Sequence, residues 1–441
     1  MKRKQNNSPG QALSKCANKR KKGVGEGGDP SLQYIKRPLE TPVIDGARLF
    51  FSGLALPFEF KVFCGESFGW RTIAKLAVRG TTAPGQRCLP LQSIGLFMPG
   101  THKITPCFES PVHHPAINRA AKLVERCCVR KGVSGYREDT SSGLLRYLIL
   151  AVEISTGRVQ LTLVCNCEPQ RTSASEQRSI DELIQALVEA DTGTPVLHSI
   201  WVHSHPASRH DNAITGRLDG SWRCVIGNPQ MRVCMELDSA NVKIRPLLHF
   251  PPNVFRQANL KGFAKIIDAI RGWIPEKCKL CELYGGVGTI GLNCLDLCKK
   301  LECSDENPYN EACFNAAVDE LVVASGKRKY RQRAAYLSAS ASERAQQGVF
   351  NKFDILIVDP PRKGLDDEVV QALLDPSLQR LSRLVYVSCG FKGFQADCAR
   401  LIQHQSASWR LVHAEGHVLF PGSDHIETLA IFDRKNILEN I

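Results

Sequence analysis

One stretch constrains this chain more than any other. The short apolar run Lys279-Leu-Cys-Glu-Leu-Tyr284 leads into Gly285-Gly-Val-Gly288-Thr-Ile-Gly291 and then into residues with helical spacing. Strand, glycine turn and helix in that order let the backbone turn tightly and approach a ligand closely, as in nucleotide-binding folds. A second run, Leu301-Glu-Cys-Ser-Asp305, ends on a carboxylate suited to ribose hydroxyls, with Glu306 as the alternative if the strand end is registered one residue later. After Pro251-Pro252 the texture repeats as strand, turn and helix. The expectation is an α/β, Rossmann-like domain with a doubly wound, mostly parallel sheet. Taken alone, the glycine turn fits an NAD enzyme or a plain βαβ turn equally well.

The following strands carry chemistry. Asp354-Ile-Leu-Ile-Val-Asp359-Pro360-Pro361-Arg362 is an apolar strand ending on Asp-Pro-Pro. In such a sheet the ligand crevice opens at the carboxyl ends of the strands, and two prolines stiffen the exit that holds Asp359 there. Amine methyltransferases tend to have Asn-Pro-Pro-Tyr at this place, so Asp-Pro-Pro-Arg points to another methyl acceptor. Leu384-Val-Tyr-Val-Ser-Cys389 delivers a thiol to the same rim, and Leu419-Phe-Pro-Gly-Ser-Asp-His425-Ile-Glu427 offers a carboxylate at the head of the last strand. A thiol beside a methyl donor points to covalent catalysis. Carbon 5 of uracil becomes nucleophilic only after something adds to carbon 6, and a base must later remove the carbon 5 proton. A buried cysteine and a surface glutamate without any role remain the bland alternative for each residue alone.

Together these segments resemble the 5-methyluridine RNA methyltransferases that act on transfer and ribosomal RNA, over about residues 68 to 435. Phe255-Arg-Gln257-Ala-Asn259 is similar to a cofactor-contacting segment of that family. The resemblance implies S-adenosyl-L-methionine as cofactor, with Gln257, Tyr284, Asp305 and Asp359 binding it, Cys389 as nucleophile and Glu427 as base. It implies methylation of uracil carbon 5 in RNA through a Cys389–carbon 6 adduct, with transfer RNA ahead of ribosomal RNA. Ile94-Gly-Leu-Phe97, Gly100-Thr-His102 and Pro111-Val-His-His-Pro115 resemble the family's central domain, which helps hold RNA. This chain departs from the pattern at Gly285, usually Cys, and at Gly390-Phe391, usually Asn-Pro. The second departure bears on substrate positioning. Some relatives carry an iron–sulfur cluster with Cys-x5-Cys-x2-Cys spacing, which Cys64, Cys88 and Cys107 do not reproduce, so no cluster is expected. The small β-barrel of many relatives has no room in the first 45 residues. A non-catalytic RNA-binding protein that kept the methyltransferase fold is the alternative, and a methyltransferase acting on a small molecule or protein is a third reading.

With 441 residues, two or three domains are expected. The plan is a disordered basic tail over 1–45, a central α+β RNA-binding domain over 46–250 and the methyltransferase domain over 251–441. Strands are expected at Ile73–Arg79, Tyr147–Ile154 and Val159–Val164, with helices at Asn118–Lys131 and Ser179–Ala190. The first 24 residues hold eight Lys or Arg and no acid. Two basic clusters there fit a bipartite nuclear-import signal or an RNA-binding arm, which places the protein in nucleus or cytoplasm, with mitochondrion or plastid second. The net charge of +13 favours a polyanionic partner. No apolar run approaches a membrane span. Eighteen cysteines without an apolar leader read as a reducing compartment. The only Cys-x-x-Cys pair, Cys278 and Cys281, lies in a strand and points to opposite faces, so no metal is expected there. His203-Ser-His205-Pro206 opens like the zinc site of metallo-isopeptidases, but Ile214 and Arg217 stand where that site has Ser and Asp, which leaves a strand end running into a loop. The chain is expected to act as a monomer.

The charge makes a first prediction. RNA affinity should fall with salt, each phosphate contact contributing roughly −0.7 to the slope of log affinity against log salt. A filter-binding series that gives a slope of zero would contradict it. Deleting residues 1–24 should weaken binding and leave methyl transfer intact.

Overall fold

The computed structural model describes residues 29–54, 56–80, 93–98, 100–206, 221–239, 242–403 and 409–435. Helix α1 (Pro42–Ser52) starts where Thr41 caps the Ile44 amide and Pro42 fills the first turn. Its buried stripe of Ile44, Ala47 and Phe51 packs into the core of the C-terminal domain. Strand β1 (Lys61–Cys64) then joins the sheet of that same domain.

The central region follows as β2 (Ile73–Arg79), β3 (Ser93–Phe97), β4 (Ile104–Pro106), α2 (Pro115–Lys131), β5 (Leu145–Glu153), β6 (Arg158–Cys165), α3 (Ala174–Ala190), β7 (Leu197–Ser204) and β8 (Trp222–Gly227). The strands form one sheet in the order β4-β3-β2-β5-β6-β7-β8, antiparallel except for the β6–β7 pair that α3 connects. On one face Ile117, Val124 and Cys128 of α2 and Leu183 and Leu187 of α3 pack against Leu148, Leu150, Leu161 and Leu163. Each such aliphatic side chain contributes about 1.5–3 kcal/mol by leaving water. Every residue of β5 is buried; on the other face Ala151 joins the core of the C-terminal domain. The expected strands and helices lie within β2, β5, β6, α2 and α3 apart from frayed ends. A hairpin of β9 (Met231–Cys234) and β10 (Leu247–Phe250) leads out of the region.

The C-terminal domain runs α4 (Leu260–Trp273), β11 (Cys278–Leu283), α5 (Thr289–Asn293), β12 (Cys298–Asp305), α6 (Tyr309–Ser325), α7 (Lys329–Arg333), β13 (Ala334–Ser338), α8 (Ala341–Gln346), β14 (Ile355–Val358), α9 (Asp367–Leu374), β15 (Arg383–Ser388), α10 (Phe391–Gln403), β16 (Trp409–Val418) and β17 (Glu427–Arg434). The sheet order is β1-β16-β17-β15-β14-β11-β12-β13. Strands β11 to β15 pair in parallel, and β17 runs antiparallel to both its neighbours. The Rossmann-like expectation holds. Cys278 packs into the core on one face of the sheet and Cys281 into that on the other, so the pair cannot grip one ion. Among the described residues no helix is long and apolar enough to cross a membrane.

Two boundaries change. Residues 29–45 do not belong to a disordered tail: Asp29 caps a short 3-10 turn, the Tyr34 amide donates to Gly422 O at 2.8 Å, and α1 is built into the core. Residues 46–64 belong to the C-terminal domain and not to the central one, because β1 pairs with β16 in register Lys61 to Glu415. The partner of this four-residue strand lies some 350 residues away, and local pattern carries no such information. Residues 1–28 lie outside the described residues, as do Cys88, Ile214 and Arg217. His203 ends a buried strand, where its Nδ1 lies 3.0 Å from Ser221 Oγ and its ring stacks on Trp222 at 3.9 Å.

The two domains are joined through Arg256. Its guanidinium donates to Thr72 O at 2.6 Å and Val152 O at 2.9 Å, both in the central region, while the Thr72 amide donates back to Ala258 O at 2.8 Å. Among the described residues no carboxylate pairs with Arg256, and burial pushes its guanidinium down to about 9. Two backbone carbonyls carry most of the compensation, helped by Thr72 Oγ1 at 3.2 Å and Met231 Sδ at 3.6 Å, so their loss is costly. Arg256→Ala should lower the unfolding free energy by about 2–4 kcal/mol, read from urea denaturation. A change below about 0.5 kcal/mol, the scale of an ordinary surface substitution, would show that the guanidinium does not hold the domains together.

Candidate active site

Parallel strands deliver their last residues to one rim. Leu283 pairs with Ser304 on one side and Val358 on the other, so the next residues, Tyr284, Asp305 and Asp359, emerge side by side. Val358 pairs with Tyr386, which brings the end of β15 and Cys389 to the same edge. The antiparallel β17 begins where its parallel neighbours end. Ser388 lies opposite Thr428, so one further step places Cys389 beside Glu427.

The glycine turn is held from two sides. Asp305 Oδ2 accepts from the Gly286 amide at 3.0 Å, and its Oδ1 accepts from the Asn307 amide at 2.9 Å and Asn310 Nδ2 at 3.0 Å. It is therefore Asp305, and not the exposed Glu306, that faces the turn. Beneath, Glu282 accepts from the Gly291 amide at 3.0 Å, and burial pushes its carboxyl up to about 8. Tyr284 sits at φ 56°, a left-handed conformation that costs an L-residue roughly 1–2 kcal/mol. Its hydroxyl donates to Asp366 Oδ2 at 2.9 Å and accepts from the Asp366 amide at 3.2 Å, so one residue holds the ring tip twice.

These residues fit an adenosyl ligand. Open space lies where a Cβ on Gly286 would stand. Around Asp305, the buried Asn310 Oδ1, Ser304 Oγ and Asn253 Oδ1 have no hydrogen-bond partner among the described residues, and polar ligand atoms would supply one. Tyr284, Asp305 and Asp359 can line such a cradle. Gln257 lines a neighbouring cavity of about 540 Å³ between the two domains, with Arg71, Lys75, Arg362, Phe420 and His425. Asn259 caps α4 through the Gly262 amide at 2.8 Å and donates to Leu419 O at 2.8 Å, which makes it a framework residue.

At the rim, electrostatics are dominated by acids. Burial, then the charges of Glu427 and Asp359, push the Cys389 thiol up to about 11, and only Arg362 among the side chains opposes them. Burial raises Asp359 from its ordinary 3.8 to about 7, although part of the side chain reaches the cleft surface. Glu427, 5% exposed, is held well above the usual carboxylate range by burial and by Asp359. Arg362 NH2 lies 3.3 Å from His425 Nε2 and forms a wall shared by the rim and the cavity. Sequence reasoning quoted Arg362 and His425 without giving them a part; the signal was their place directly after Pro-Pro and two residues before Glu427. Glu282 was also missed, although a carboxylate between the apolar Leu280, Cys281 and Leu283 marks it.

No family model matches the chain. An uncharacterized RNA methyltransferase of Protochlamydia amoebophila is 35% identical over 370 residues, 84% of this chain and 87% of its own length. An uncharacterized RNA methyltransferase of Geobacter sulfurreducens is 24% identical over 83% of this chain, which spans 66% of that protein. Among solved structures, the tRNA (uracil-54, C5)-methyltransferase of Pyrococcus abyssi in complex with S-adenosyl-L-homocysteine has the same fold: TM-score 0.61 at 20% identity, over 88% of this chain and 82% of that one. With 35% identity over 84% of its length, the chain belongs to the family of RNA methyltransferases that includes the Protochlamydia protein.

Proposed function

We propose that the protein methylates carbon 5 of uracil in RNA, in transfer RNA ahead of ribosomal RNA, through a covalent bond between Cys389 Sγ and carbon 6. The observation that carries this reading is the β15–β17 register, which sets a thiol and a buried carboxylate beside each other at the cofactor rim. S-adenosylmethionine, when bound, supplies the methyl group that carbon 5 receives. In this reading Tyr284, Asp305 and Asp359 hold it, and Gln257 faces it from the cavity side.

The thiol needs help. Burial and the neighbouring carboxylates push the Cys389 thiol up to about 11, so it is held in its protonated form at pH 7. The proton has an acceptor within electrostatic reach, the carboxylate of Asp359, and moving it there removes a charge that opposes the thiolate and leaves Glu427 to act as the later base. Addition of sulfur to carbon 6 sends the electron pair through the ring to oxygen 4, which makes carbon 5 the nucleophile. After methylation Glu427, whose raised pKa makes it a strong base once ionised, takes the carbon 5 proton and the sulfur–carbon 6 bond breaks. For RNA, the face of the central sheet that looks onto the cavity supports the reading. There the exposed Lys75 lies over the Tyr147 ring at 4.7 Å and lines the cavity with Arg71 and Arg362, cations of the kind that hold phosphates.

Two predictions test this. Asp359 keeps its proton to a higher pH in the folded chain than in the unfolded one, so the folded state is penalised as pH rises from about 3.8 through about 7. Asp359→Asn should therefore stabilise the protein by about 1–2 kcal/mol at pH 8, less at pH 5, while impairing methyl transfer. Equal urea midpoints for variant and wild type at pH 8 would contradict it. For the reacting pair, Cys389→Ala should form no covalent RNA adduct and transfer no methyl group. Glu427→Gln should still add but fail to release, so a covalent protein–RNA species accumulates on a denaturing gel. Wild-type protein should be trapped likewise on RNA bearing 5-fluorouridine at the target. A shifted band from Cys389→Ala, or none from wild type on the fluorinated RNA, would refute the covalent mechanism in favour of the non-catalytic reading.

A further inference from the structure

The loops that carry Cys389 and Glu427 are both gripped by one distant piece of chain. Residues 420–427, which lead into Glu427, meet residues 29–43. Gly422, at φ 98°, lies so close to that segment that a Cβ would come 2.1 Å from Ser31 O, and its own carbonyl accepts from the Tyr34 amide at 2.8 Å. Two residues on, Asp424 Oδ1 accepts from the Val43 amide in the first turn of α1 at 2.9 Å. On the other side, Phe391 lies two residues after Cys389, 7% exposed. Its ring meets Phe50 edge-on at 5.8 Å and Phe51 at 6.2 Å, both from the end of α1. Between them Gly390 crosses the backbone of Arg362 so closely that a Cβ would stand 2.2 Å from its carbonyl oxygen. The segment is itself anchored outside the domain, since Ser110 Oγ of the central region donates to Asp29 Oδ2 at 2.5 Å.

We propose that residues 29–52 are a positioning element of the active centre, which braces the Cys389 loop through Phe50 and Phe51 and the Glu427 loop through Ser31, Tyr34 and Val43. The inference rests on Cys389 and Glu427 being the reacting pair. It gives Gly390-Phe391 a physical reason: glycine is the residue that clears Arg362, and phenylalanine is the one that reaches α1. Neither contact touches the cofactor cradle. Loosening the brace therefore spoils the alignment of sulfur and carboxylate without weakening S-adenosylmethionine binding.

The test uses the full chain with Asp424→Ala, Asp424→Asn and Phe50→Ala. Asparagine keeps the acceptor oxygen for the Val43 amide and loses only the charge. Hydrogen exchange should rise about fivefold in peptides spanning 420–427 for Asp424→Ala, and in those spanning 389–394 for Phe50→Ala. Single-turnover methyl transfer should fall about tenfold in both, with calorimetric S-adenosylmethionine affinity unchanged, and Asp424→Asn should behave as wild type. The brace is overturned if neither peptide responds, if cofactor affinity falls in parallel with rate, or if Asp424→Asn matches Asp424→Ala. Wild-type protein that transfers no methyl group to uridine, with both peptides responding as expected, overturns the proposed reaction and leaves the brace standing as a loop-holding element.

Discussion

The site depends on one antiparallel pairing. In a wholly parallel sheet every strand brings its end to the ligand rim, and residues that follow the strands must do all the chemistry. Inserting β17 in the opposite sense brings the beginning of a strand to that rim. Its first residue, Glu427, is thereby held by a ladder and buried, where a loop would leave it solvated. A slip of one residue in this register would send Glu427 to the opposite face of the sheet, beyond reach of Cys389. The packing of β17 between β15 and β16, with Leu429 and Ile431 in one core and Ala430 and Phe432 in the other, makes the register a property of the whole domain.

The rim also shows what the fold sacrifices. Asp359, Glu427 and Glu282 are carboxylates that burial keeps above their usual range, and Tyr284 is a left-handed residue with a bulky ring. Each opposes folding. The surrounding strands, buried on both faces and rich in Val, Ile and Leu, offset these costs.

Much of this was legible in the residues. The glycine turn, the strand ending on Asp-Pro-Pro and the cysteine strand are local signals, because each depends on neighbours in sequence, and the helices and strands of the central region follow from apolar spacing. The doubly wound arrangement follows from their order. What escaped was non-local. Nothing in Lys61-Val-Phe-Cys64 says that its partner is Glu415 to Val418, and nothing in Pro42 to Ser52 says that its phenylalanines meet Phe391. Gln257 is grouped with the cofactor residues by resemblance, and its place in the interdomain cavity appears only in the folded chain. The guanidinium of Arg256 looked like one more cation in a basic chain. Its burial against Thr72 and Val152 appears only once the two domains are in place.

The chain enters the catalytic sheet at β1, leaves it for the whole central region and returns at α4, with exit and return clasped together by Glu66 to Lys261 at 2.5 Å and Thr72 to Ala258 at 2.8 Å. The central region is thus an insertion spliced into the catalytic domain. This sets an order on the ribosome. Residues 61–64 emerge before the central region, yet the strand they pair with is made some 350 residues later. At about 5–20 residues per second, that is a wait of about 20–70 s during which the inserted domain can fold and the founding strand of the catalytic sheet has no partner. A strand made before the whole central region is one of the last that can be put in place.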